Sequence, residues 1–193
     1  MPTTTRYLIR ATWLSVFLCV VIASHTLAGS DDGRLVINEV ENGFELTVPL
    51  SRLILSMPKG GLAIGTNKRG GATESTRYFY LANAAEGVVV SGWFERAARY
   101  TDLDASWSHE MEQIQKRGAP APQDVEHSEI GTWPAILYNF PLPNGSSAHV
   151  RASYIGVGTW IDLHASVSSV RPSSETRKQV EALVRSMQVH EKQ

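Results

Sequence analysis

Apolar residues fall into short alternating or continuous runs along most of this chain, and into helical spacing twice. Leu35–Val40 and Phe44–Val48 flank Asn42-Gly43, a dipeptide suited to a tight hairpin because both central positions of such a turn take positive φ. Leu53–Met57 is a further apolar run ending at Pro58 and reads as a strand. Lys59–Ser75 is rich in glycine, carries Lys68 and Arg69, and offers little to bury; a mobile surface loop is expected there. Tyr78–Ala82 and Val88–Phe94 surround the turn-rich Asn83–Gly87, and their nearly unbroken apolar character predicts a second hairpin covered on both faces.

The first helix is expected to start at Thr101 or Asp102, with Thr101 and Asp104 resembling a capping box and Gly118 as terminator. Leu103, Trp107, Met111 and Ile114 recur at spacings of four, four and three and so share one face. Ala119–Pro122 reads as a stiff crossover, followed by strands near Val125–Ile130 and Ala135–Phe140, with Trp133-Pro134 as a packed edge at a strand start. Val150–Ile155 and Thr159–Val167 follow, joined through Gly156-Val157. A last helix is expected after Pro172, capped by Ser173 or Ser174, with Val180, Leu183, Val184 and Met187 forming an amphipathic stripe. The sum is a single α+β domain, an antiparallel β-sheet with helices packed on it.

The beginning of the chain is of another kind. Arg6 and Arg10 precede an apolar run, Ala11–Ala23, broken only by Thr12 and Ser15, and Thr26-Leu27-Ala28 places small residues at the −3 and −1 positions of a cleavage site. This order predicts a signal peptide over residues 1–28 and a mature domain over 29–193, periplasmic or secreted. Cys19, the one cysteine in the 193 residues, lies within the apolar run and lacks a leucine three residues before it, so a lipoprotein anchor is not expected. The predicted leader carries two arginines and no acid, which turns the net charge of −1 into about −3 for the remainder. A cysteine-free exported domain of ordinary composition, 42% apolar and 19% charged, must stand on its hydrophobic core, which suits a bacterial periplasm. The absence of basic excess argues against nucleic acid as a partner.

The C-terminal pattern resembles a known fold group. Gly158-Thr-Trp-Ile-Asp-Leu-His-Ala-Ser166, a proline-led cap, and Val180–Val189 ending in Ser186-Met187-Gln188-Val189 are similar to the PsbP-like proteins, which include an extrinsic photosystem subunit and the Ran guanine-nucleotide release factors. Tyr78-Phe-Tyr-Leu, Val90-Ser-Gly-Trp-Phe-Glu95 and Trp160-Ile-Asp-Leu-His164 look like a family of uncharacterised secreted proteobacterial proteins. The resemblance implies a PsbP-like α-β-α sandwich and a protein that acts by binding partners. It carries no catalytic set, because its motifs are hydrophobic patterns.

Familiar catalytic signatures fail on their residues. His109-Glu110 opens like a zincin helix, but position 113 is Gln where a second His is needed. Gly60–Gly65 has the glycine spacing of a phosphate loop, yet Thr66 and Asn67 stand where Lys and Ser or Thr belong. Gly156-Val-Gly158 has no third glycine at the offset of a dinucleotide fingerprint. There is no Gly-x-Ser-x-Gly elbow. No cofactor or metal is therefore implied.

One polar cluster survives. A turn at Gly156-Val157 would oppose Val150 to Leu163 and Ala152 to Ile161 on one face, and His149 to His164, Arg151 to Asp162 and Ser153 to Trp160 on the other. His149, Arg151, Trp160, Asp162 and His164 are thus the candidate ligand-binding residues. Alternation is expected to hold Arg151 and Asp162 away from His149 and His164, so gathering all five would take a bulge or strong twist. A one-residue change of turn is expected to separate the pairs. The functional expectation is a non-enzymatic exported accessory domain binding a periplasmic or envelope protein. A small-molecule or metal-binding protein using this cluster comes next, and a hydrolase third.

Overall fold

The computed structural model describes residues 33–49, 51–65 and 77–192. The predicted leader, Cys19 and most of the glycine-rich Lys59–Ser75 stretch lie outside the described residues. Among the described residues eleven strands and two helices follow one another, with all strand pairs antiparallel. The class is α+β, as the alternation of patterns implied.

There are two sheets where one was expected. β1 (Val36–Val40), β2 (Gly43–Thr47) and β3 (Leu53–Pro58) form the smaller, completed by β11 (Gln188–Glu191) beside β3. The larger runs in the order β4 (Ala63–Ile64), β5 (Tyr78–Asn83), β6 (Val88–Arg96), β10 (Thr159–Ser169), β9 (Gly145–Gly156), β8 (Trp133–Leu142), β7 (Gln123–Ile130). Strict alternation in β2 and β3 turns Phe44, Leu46, Leu53, Leu55 and Met57 inward, and a strand with one apolar face must bury it against another layer. Those residues share one core with Phe79, Leu81, Val90 and Phe94, with Val150, Ala152, Ile161 and Leu163, and with Val180, Val184 and Met187. α2 (Ser173–Arg185) rests on β9 and β10 on that side.

Several boundaries differ from expectation, each for a local reason. The first hairpin turns at Glu41-Asn42, since Val40 pairs with Gly43; Gly43 is needed because a Cβ there would fall 2.0 Å from the Met57 carbonyl oxygen of β3. Leu62 is buried and Ala63–Ile64 pair with Ala82 and Leu81, so this part of the expected loop is edge strand. β5 alternates between buried and half-buried positions and is not covered on both faces. α1 (Leu103–Lys116) is capped by Asp102, whose Oδ1 accepts from the Ala105 N–H at 2.6 Å, in place of the Thr101 box. Of its stripe only Ile114 is fully buried.

Trp133 is no edge residue: β8 lies between β7 and β9, and the ring is fully buried with Nε1 donating to the Met187 carbonyl at 3.3 Å. α2 has Pro172 in the cap position, where a serine was expected, and ends at Arg185, so Gln188 and Val189 belong to β11 and not to the helix. Among the described residues no helix is long and apolar enough to cross a membrane.

Candidate functional site

The β9–β10 hairpin builds the polar cluster. Its turn residues are Val157 (φ 48°) and Gly158 (φ 72°), because Gly156 pairs with Thr159. Positive φ at both positions is the type I′ geometry whose twist matches that of the flanking strands. The turn thus sits one residue later than Gly156-Val157. Every expected cross-strand pair changes accordingly: Ser166 opposes His149, His164 opposes Arg151, Asp162 opposes Ser153 and Ile155 opposes Trp160.

The faces survive this change because the loop still has two residues. Odd positions of β9 continue to oppose even positions of β10, so 149, 151, 153, 160, 162 and 164 share one side, and the pairing runs through them without a bulge. The expectation that alternation would part Arg151 and Asp162 from the histidines is incorrect: residues two apart on a strand lie on the same face. The shift does not break the contacts either. Long side chains reach diagonal neighbours, and here His149 Nδ1 lies 3.0 Å from His164 Nε2, Arg151 Nη2 donates to Asp162 Oδ2 at 2.8 Å, and Trp160 Nε1 donates to Ser153 Oγ at 3.3 Å.

α1 closes over part of this side. Arg151 Nη1 lies 2.9 Å from Glu110 Oε2, so the guanidinium is held between a helix carboxylate and a strand carboxylate. Burial works against the Arg151 charge, but Asp162 and Glu110 outweigh it and raise the pKa above the ordinary value. For Asp162 burial prevails over Arg151, and the pKa rises. Trp107 of α1 packs on Tyr138 of β8 with ring centroids 4.7 Å apart. Tyr138 is buried and held far toward its neutral phenol by that burial, with Glu110 adding to it. Tyr100 meets Trp160 at 5.2 Å on the other flank.

The histidines belong to a longer chain of contacts. His149 stacks on Tyr138 (5.0 Å, 16°), stands edge-on to Phe140 (5.1 Å, 84°), and its Nε2 lies 2.8 Å from Ser147 Oγ. Ser147 Oγ in turn lies 2.7 Å from Ser168 Oγ. Burial pushes His149 down to about 4; burial, then the neighbouring His149 and Arg151 charges, push His164 down to about 3. Both rings are therefore neutral near pH 7. A neutral ring satisfies both His149 contacts in either tautomer, donating through one nitrogen and accepting through the other.

Serine, imidazole and a second imidazole in this order have the hydrogen-bond sequence of a nucleophile, a base and a group that orients the base. Access and electrophile stabilisation are another matter. Ser147 is 5% exposed and lies within paired strand on both sides, opposite Ser168 and Phe140. Its surroundings are sheet ladder, not the helix start or turn that supplies free N–H groups to an oxyanion. Among the described residues no three His, Cys, Asp or Glu side chains could share a metal ion.

Sequence reading missed Ser147, Ser168, Tyr138 and Glu110. The serines were legible in principle, since Ser147, His149, Arg151 and Ser153 alternate along one strand once β9 is allowed to begin at Gly145. Nothing along the chain links Glu110 to Arg151.

No family model matches this chain, and no curated protein matches it. Among solved structures, a crystal structure from Bacteroides thetaiotaomicron VPI-5482 at 1.50 Å resolution is similar over 72% of this chain and 46% of its own, with 10% identity and a TM-score of 0.39. This chain thus spans less than half the length of that protein, and a likeness of this size transfers neither fold nor function.

Proposed function

We propose that this chain is an exported accessory domain of the PsbP-like kind, which acts by binding a periplasmic or envelope protein and not by catalysis. The observation that carries this reading is the mutual engagement of the charged and aromatic groups on its polar face. His149 and His164 are engaged with each other, Arg151 is held between Glu110 and Asp162, and Trp160 is tied to Ser153. Groups so engaged are costly to redirect toward a substrate, since each would leave a buried partner unsatisfied. They serve instead to hold α1 and the strands in one arrangement, a scaffold on which surfaces can be displayed. The test is affinity capture from periplasmic extract, followed by titration of the recovered protein with the purified chain. A saturable complex of fixed stoichiometry supports the reading.

A hydrolase is the second reading, and the Ser147–His149–His164 order is what favours it. In that case Ser147 Oγ would pass its proton to His149 Nε2 as it attacked an ester or amide carbonyl, with His164 holding the His149 ring. Turnover of an activated ester panel by the wild type, abolished in Ser147→Ala, would establish hydrolysis and defeat the accessory reading.

A further inference from the structure

Beyond the polar cluster, where β6 runs into the short 3₁₀ turn Ala97–Arg99, the surface is concave. A groove of about 590 Å³ is lined there by Pro49, Phe94, Ala97 and Val157 on its apolar part and by Arg77, Glu95 and Arg96 on its polar part. That volume is in the range of small-molecule sites, which combine apolar walls with a few placed polar groups.

The charges are arranged around one carboxylate. Glu95, whose side chain is 13% exposed, accepts from Trp93 Nε1 at 3.0 Å through Oε1 and from Arg77 Nη1 at 3.1 Å through Oε2, and Arg99 Nη1 stands 3.3 Å from Oε2. Among the described residues Arg77 is engaged in this way through Nη1 alone, and Arg99 is largely exposed. Arg96 is exposed and makes no ion pair there. Arg77 and Arg99 thus share one carboxylate, and together with the neighbouring Arg96 the three guanidiniums leave two positive charges in excess there, on a chain whose net charge is −1. Glu95 restrains two of the three, so their remaining N–H donors are positioned before a ligand arrives, which lowers the entropic cost of binding. Arginine is suited to this task because its planar fork matches carboxylate and phosphate oxygens.

We infer that this groove binds a dianionic phosphate or dicarboxylate carried on an apolar stem. The anionic groups lie against Arg77 and Arg96, with the charge of Arg99 added beside Glu95, and the stem lies along Pro49, Ala97 and Val157. The anion comes either from a free organic molecule or from the acidic side chains of a peptide segment. The groove is separate from the histidine cluster, and its binding does not depend on the accessory reading.

Titration calorimetry with phenyl phosphate and with a short peptide alternating Glu and Phe tests this on the full mature chain. Saturable binding of phenyl phosphate alone assigns a free organic anion, and binding of the peptide alone assigns an acidic segment; either supports the site. Binding is expected to weaken by about tenfold or more in Arg96→Gln/Arg99→Gln, where charge-assisted hydrogen bonds are lost, and on raising salt from about 0.05 M to about 0.5 M. It is expected to be unchanged in Lys178→Gln, which removes an exposed positive charge of α2 that does not line the groove. Both arginines are exposed, so an unaltered melting temperature of the double variant confirms that its fold is intact. Failure of both probes to saturate, wild-type affinity in the double variant, or equal binding of neutral phenol would overturn the inference.

Discussion

His149 and His164 lie within hydrogen-bond distance, Nδ1 to Nε2 at 3.0 Å, although the register opposes His149 to Ser166 and His164 to Arg151. The contact is diagonal across the pair of strands. It places two neutral imidazoles between the aromatic rings of β8 and the Arg151 ion-pair cluster.

Acid should unfold this protein through that pair. Both histidines have folded-state pKa values below the ordinary 6.5, at about 4 and about 3. The unfolded chain therefore binds more protons than the folded one between pH 6.5 and pH 4, so stability is complete above 6.5 and falls as pH drops toward the folded values. His149 alone contributes on the order of 3 kcal/mol of this loss. Asp162, raised, pulls in the opposite direction as it protonates. Thermal melts from pH 7 downward should show a falling Tm, and a His149→Phe/His164→Leu variant should flatten the decline. A wild-type Tm unchanged between these limits would contradict the neutral pair.

Arg151→Met should destabilise the fold by about 3 kcal/mol, because Glu110 and Asp162 would lose the cation that lies between them. Adding Glu110→Gln and Asp162→Asn should recover much of the loss, since neutral amides need no counter-charge. Urea titrations of the two variants measure both effects. Equal stability of the single and triple variants would show that the carboxylates do not depend on Arg151.

Val157→Asn should stabilise the protein by about 1 kcal/mol. Val157 holds φ 48° at the first central position of its turn, a conformation costly for a β-branched residue and tolerated by Asn. A rise in Tm of a few degrees is the expected readout. Gly158→Val should act in the opposite direction, since Gly158 has φ 72°.

Saturating zinc should leave the melting temperature unchanged. The facing nitrogens of His149 and His164 are engaged with each other, and among the described residues no third ligand stands near enough to complete a site. A zinc-dependent rise in Tm, lost in His164→Leu, would show that the pair opens to take the ion.

The chain pattern alone was enough for the class, most strands, both helices and the polar face of the last hairpin. These follow from periods of two and of three to four, which express local backbone geometry and need no distant partner. Alternation sufficed to put His149, Arg151, Trp160, Asp162 and His164 on one side. It did not supply the register, which the type I′ requirement for positive φ moved to Val157-Gly158. Nor did it supply the division into two sheets or the strand after α2. β11 exists because Gln188–Glu191 finds the free edge of β3 more than a hundred residues earlier in the chain. Glu110 reaches Arg151, and Arg77 and Arg99 reach Glu95, only once helix, turn and strands have packed. Local preferences set what each segment becomes. Which charges meet depends on how those segments bury their apolar faces against one another, and that is a property of the whole fold.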